Sequence, residues 1–307
     1  MPAGVINTGS HPKLLWPGVR AIWGQIYDGH ENEYPDLYEQ LDSEMAYEQD
    51  VMLTSFGLAP VKGQGAPVTY DNGEIQGWIT TYPHIAYALG YQVTHEELKD
   101  NLYEKVSMDR AKANAFSIKE TIENVAAFLY NNGFVSTFFT TPDGQPLLSN
   151  AHVNVTGGTF SNVLTPSADI SEAALEDLTI QIMGVQNDRG LLIRIMPESL
   201  HVTRQDWFNA NRIMKSVLQS NTTSNNINVL KAVNAFPKGI KLNHYFTSPH
   251  AWFIRTSCPK GMTMFWREHP EFDQDNDFDT KNLKAATYMR FSVGCTDPRG
   301  IFGSNGP

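Results

Sequence analysis

Two cysteines in 307 residues, Cys258 and Cys295, cannot frame a disulfide scaffold, so the composition reads as that of a reduced intracellular protein in which the pair is either joined or free. Positive charge is also scarce. With 23 Lys and Arg against 33 Asp and Glu, and no basic run, a broad cationic surface for nucleic acid is excluded. No uncharged apolar stretch approaches 18 residues, and Met1-Pro-Ala-Gly opens no basic region followed by a hydrophobic one; neither a membrane span nor a secretion signal is expected. The Asn-X-Thr triplets at Asn154 and Asn221 therefore carry no meaning as glycosylation sites. There is no internal repeat.

What remains is 41% apolar and only 18% charged, enough for one large core or two to three domains, with the low charge hinting at surface spent against partner subunits. Residues 1–33 mix Gly, Pro and aromatics without a period and are expected to form an extended arm. From Tyr34, the spacing of Leu37, Leu41 and Met45 predicts a helix ending near Gly57. Asp71-Asn72-Gly73 then marks a tight turn in a Gly- and Pro-rich segment, predicting a projecting two-stranded flap that needs a second surface to rest on. Thr94-His-Glu-Glu97 has capping-box spacing and opens an apolar stripe running to Asn132-Gly133, a long helix without Pro or Gly. Asp169 or Ser171 caps another, and Thr203 and Asp206 begin a third whose inner face includes Val217 and Leu218. LLIRIMPESLHV reads as a buried strand ended by Pro197; VLKAVNAF, HAWFIRTS, MTMFWRE and TYMRFSVGC read as further strands. The class is α+β.

Candidate chemistry is thin. In TTPDGQPLLSNAHVNVTGGTFSN, residues 140–162, His152 has Asp143 nearby, the ingredients of a hydrolase base, but no GxSxG elbow exposes a nucleophile. The alternative is an ordered loop in which Pro142-Asp-Gly and Gly157-Gly158 turn the chain while Asn150 and His152 tie its backbone. Asp273–Asp279 fails as an EF-hand loop because Phe278 and Lys284 stand where Gly and Glu are required, and a solvated acidic loop is expected. His269 beside Glu268 lacks zinc-ligand spacing, and Gly157-Gly158-Thr159 lacks a phosphate-loop lysine. No metal or cofactor is expected.

The order of features, with DGQPLLSNAHVNVTGGTFSN, SEAALEDLTIQIMGVQNDRGLLIRIMPESLHV, IMKSVLQS before an Asn-rich loop, and HAWFIRTS, MTMFWREHPEF and MRFSVGCTDPRGIFGSNG, resembles the major capsid proteins of tailed bacteriophages with the Hong Kong 97-type fold, among them the Mu-like major head subunits. These motifs span residues 140–307. The resemblance implies residues 1–55 as amino-terminal arm and short helix, 56–81 as extended loop, 82–169 as peripheral domain with a spine helix over 94–132, 170–280 as axial domain, and 281–307 as strands completing the body. It implies no enzyme but a self-assembling shell of pentamers and hexamers around double-stranded DNA. Its partners would be a scaffolding protein, a portal and a decoration protein, in the virion and, during assembly, the host cytoplasm. Trp16, Trp23 and Tyr27 on the arm and Tyr70, Ile75 and Trp78 on the loop are the expected intersubunit anchors. Some relatives crosslink through a loop lysine, where Lys62 stands here, but no acceptor is evident. A cellular nanocompartment shell of the same fold, an oligomeric hydrolase using His152 and Asp143, and an inert fibre or decoration protein are the alternatives.

Overall fold

The computed structural model describes residues 16–29, 31–52, 54–71, 76–99, 103–218, 226–280 and 282–306. Its longest element is helix α4 (Tyr103–Asn131), 29 residues and so about 44 Å long. Ile118, Ile122, Ala126, Leu129 and Tyr130 are buried along it, at the three- and four-residue steps that a helix needs to keep one face inward. Ahead of it lies α3 (His95–Lys99), where Thr94 Oγ1 accepts from the Glu97 N–H at 3.3 Å as the capping spacing predicts. Residues 100–102 lie outside the described residues, so the expected single rod from 94 is described as these two helices.

Beneath α4 lies a sheet of order β1-β10-β11-β4, formed by Glu39–Asp42, Met262–Asn276, Leu283–Cys295 and Ile85–Val93. Met264, Trp266, Met289 and Phe291 face the helix from it. A second sheet, β12-β9-β7-β8, takes Ile301–Ser304, Trp252–Thr256, Pro197–Val202 and Ile240–Leu242. Helix α5 (Glu172–Met183) closes its core with Leu175, Leu178 and Ile182 against Leu200, Val202 and Phe302. Helices α6 (Trp207–Lys215) and α7 (Val229–Ala232) add to the same core. Successive side chains of a strand point to opposite faces, and β9 uses this: Trp252 and Ile254 enter the second core while Phe253 enters the first. Sheet membership divides the span 170–280, since β10 pairs with β1 and β11, and the span 281–307, since β11 and β12 belong to different sheets.

Several expectations are corrected. The arm is not extended over its described part: Trp16–Gly29 is helix α1, packed on α4. Pro17 stands in its first turn, where a missing N–H costs nothing. The helix expected from Tyr34 stops after α2 (Tyr34–Leu37), and the chain continues as β1 and β2 (Tyr47–Val51) because only Leu37 of the apparent stripe is buried, Leu41 and Met45 being exposed. Pro197 opens β7 rather than ending a strand, and VLKAV is mostly the short α7, capped by Asn228, whose side chain accepts from the Lys231 N–H. Val217 and Leu218 are exposed. The acidic run is half strand, since Asp273–Asn276 continues β10 against β11. Both cysteines are free.

Candidate functional site

Residues 140–162 form a knot against the carboxy-terminal strands. Thr141–Gln145 is a turn, closed by the Gly144 N–H on the Thr141 carbonyl at 2.8 Å, with Gly144 at φ +81°. That turn aims the Asp143 carboxylate back at the chain. Its Oδ2 accepts from His152 Nδ1 at 2.8 Å and from the Val153 N–H at 3.0 Å, while Oδ1 accepts from the Thr141 hydroxyl and the Gln145 N–H. Strands β5 (His152–Val153) and β6 (Thr159–Phe160) pair across the Gly157-Gly158 turn, both glycines at positive φ. Asn162, fully buried, ties this segment down: its amide donates to the carbonyls of Leu147, Pro298 and Ile301 at 2.8–3.2 Å, and its Oδ1 accepts from the Ser149 N–H. Asn150, the residue expected to do this, is exposed.

Arg299 joins the knot from the other side and is 2% exposed. Its guanidinium donates to the Gln186 carbonyl at 3.1 Å, to Asp297 at 3.2 Å and to the Asn154 side chain, and lies 4.3 Å over the Phe160 ring. The imidazole of His152 stacks on Phe160 as well, at 5.1 Å. Little in the local sequence marks Arg299, because apart from Asp297 its partners come from positions 154, 160 and 186.

The knot also holds the root of residues 53–78. The Met52 N–H donates to the Trp78 carbonyl at 2.9 Å, the Trp78 indole N–H donates to the Val153 carbonyl at 3.3 Å, and the Asn187 amide donates to Ser55 Oγ at 2.6 Å. Beyond this root, residues 54–71 and 76–78 have no helix or strand, so Val68–Tyr70, on one side of the expected flap's turn, is not a strand, while Glu74 and Ile75 on the other side lie outside the described residues; β3 (Ile79–Pro83) pairs with β2. Leu58, Val61 and Tyr70 stand 82%, 102% and 89% exposed. That much apolar surface exposed on a segment without regular structure is unusual for a protein in water.

A scan against protein-family profiles matches residues 79–303 to the family described as phage capsid protein. The chain belongs to the phage capsid protein family. Comparison with curated proteins finds no match. Among solved structures, the chain is similar to the capsid of an empty GTA particle, with 10% identity, TM-score 0.58, and coverage of 98% of this chain and 91% of that one. It is also similar to a virus-like particle from Pyrococcus furiosus, with 11% identity, TM-score 0.52, and 94% and 98% coverage. A third likeness is to Microbacterium phage Oxtober96, with 8% identity, TM-score 0.52, and 91% and 92% coverage. The α+β fold with a long central helix and mixed sheets is that of Hong Kong 97-type capsid proteins.

In this capsid-family chain the six expected anchors fare differently. Trp23 is buried by its own chain, stacked between Tyr27 at 5.0 Å and Phe272 at 5.6 Å, with its indole N–H on Asn114 Oδ1 at 3.1 Å. Tyr27 is half-buried against the same cluster, and burial, with Tyr34 and Asp28 nearby, pushes its phenol well above the ordinary range. Trp78 is half-buried on the knot, and Tyr70 stands in the open. The Trp16 side chain and Ile75 lie outside the described residues.

The His152–Asp143 pair is real, yet its geometry is that of a tie. Nδ1 is held on the Asp143 carboxylate, and Nε2 is buried without a hydrogen-bond partner. The gap lined by Trp78, Asp143, Val153 and Phe160 holds about 10 Å³, room for one water and no substrate. Among the described residues, no group of three or more His, Cys, Asp or Glu could hold a metal, and no helix is long and apolar enough to cross a membrane. Burial alone would raise Asp143, but hydrogen bonds from His152, Thr141 and the Val153 N–H outweigh it and draw its pKa down from 3.8 to about 2. A depressed carboxyl stabilises the fold above its unfolded value and loses that contribution as pH falls. Wild-type stability is therefore expected to drop by about 2 kcal/mol between pH 5 and pH 2 on account of this group, a slope that Asp143→Asn removes; urea melts across that range measure it.

Proposed function

We propose that this chain is a major capsid protein that assembles as pentamers and hexamers into an icosahedral shell enclosing double-stranded DNA. The observation that carries the reading is the projecting segment 54–71, apolar, without regular structure, and rooted on a buried knot in a chain of the phage capsid family. One such contact is weak, but arm, loop and edges repeated over many neighbours multiply. The net charge of −10 suits containment of DNA rather than tight recognition of it. The likeness of residues 140–307 to Mu-like head subunits supports a virion role with separate scaffolding and portal proteins, a decoration protein on the shell, and assembly in the host cytoplasm. The chain does no catalysis in this reading.

Electron microscopy of the purified protein, with and without its scaffolding partner, tests this. Closed angular particles of uniform size are expected, protecting double-stranded DNA from nuclease when isolated from infected cells. Particles that enclose protein and never DNA point to a nanocompartment instead, and a chain that stays monomeric under both conditions overturns the shell altogether.

A further inference from the structure

Helices α5 and α6 lie over the two different edges of one sheet, α5 against β12 and α6 against β8. Each buries one face and turns another to solvent. On α5 the inward set is Ala174, Leu175, Leu178 and Ile182, which leaves Glu176, Asp177, Ile180 and Met183 on the outward stripe, with Ile180 63% exposed. On α6, Ala210 is buried, while Phe208, Arg212 and Lys215 recur at steps of four and three, all exposed. Each stripe therefore combines apolar contact area with charge, of opposite sign.

The sign difference extends beyond the helices. Residues 169–188 carry five acidic side chains and no Lys or Arg, whereas residues 203–241 carry six Lys or Arg and one Asp in a chain that is acidic overall. Lys238 and Lys241 are paired internally with Glu198 and Asp36. Among the described residues, ion pairs leave Glu176, Asp177, Arg212 and Lys215 unclaimed.

From this we infer that the acidic α5 stripe of one copy docks on the basic α6 stripe of the next copy, forming the head-to-tail contact of a ring. The occupant is a second copy because the complementary surface is already on the same molecule. Because the two stripes lie over opposite edges of the sheet, seating one edge of a copy on the other edge of its neighbour leaves a complementary edge free on each, so the contact is heterologous and propagates around an axis. The inference rests on the shell reading and names the surface that closes its pentamers and hexamers.

Charge reversal tests it. Glu176→Lys with Asp177→Lys, and separately Arg212→Glu with Lys215→Glu, should each reduce the protein recovered in particles at least about tenfold at equal concentration. Joining all four substitutions exchanges the signs and should restore assembly, a rescue that a merely misfolded helix would not give. Far-ultraviolet circular dichroism and thermal melting establish that each variant folds. Wild-type shells that neither reversal disturbs, or a four-fold variant that fails to assemble while folding normally, overturn the contact alone. A wild-type chain that forms no shells overturns both the contact and the reading beneath it.

Discussion

Arg299→Ala is expected to lower the free energy of unfolding by about 3–5 kcal/mol, the loss typical of removing one member of a buried charge pair. The guanidinium is nearly inaccessible, and its removal leaves the Asp297 carboxylate, only 15% exposed, without its cation. It also leaves the Gln186 carbonyl and the Asn154 side chain without their donor, and exposes a void over Phe160. Arg299→Lys should recover a minority of the loss, because an ammonium on a flexible stem cannot reproduce a planar fork that serves three acceptors and a ring at once. Urea unfolding followed by circular dichroism decides it. A loss below about 1 kcal/mol for the alanine variant would mean that the knot relaxes around the gap and that Arg299 does not hold it.

Gly77→Ala should damage assembly more than stability. A Cβ on Gly77 would sit 2.1 Å from the Met52 carbonyl oxygen and 3.0 Å from its carbon, both backbone atoms that cannot rotate away. The two sides of the loop root must then part, breaking the bond between the Met52 N–H and the Trp78 carbonyl and lifting the indole from Val153. Overpacking of this kind costs about 1–3 kcal/mol. The body retains its cores, so the variant should fold while its loop leaves in a changed direction, and particle yield by sedimentation should fall further than the melting temperature suggests. Unchanged melting together with unchanged particles would sink the idea that this root aims the loop.

Much of the body could be read along the chain wherever one local period decided the outcome. The stripe from Ile118 to Tyr130 is helical because nothing in it competes, and Ser171 caps α5, accepting from the Ala174 N–H at 3.2 Å, as its spacing suggests. Strands β9, β10 and β11 were legible in their runs of β-branched and aromatic residues. Helix α1 was not, although Val19 and Trp23 stand four apart, because Pro17 and Gly24 disguise a pattern that only docking on α4 makes stable. Leu37, Leu41 and Met45 have helical spacing, and tertiary pairing of β1 with β10 overrode it. The site was legible by half. Asp143 and His152 were visible as neighbours, but their burial, and the part played by Asn162 and Arg299, depends on carbonyls more than a hundred residues away.

Strand β9 is a wall common to both cores, with Phe253 bearing on one and Trp252 and Ile254 on the other. Interiors this closely packed transmit strain rather than absorb it. The two cores share this one wall, so a displacement of either is felt by the other, and in the proposed shell a load from the contents would reach both cores of a subunit together.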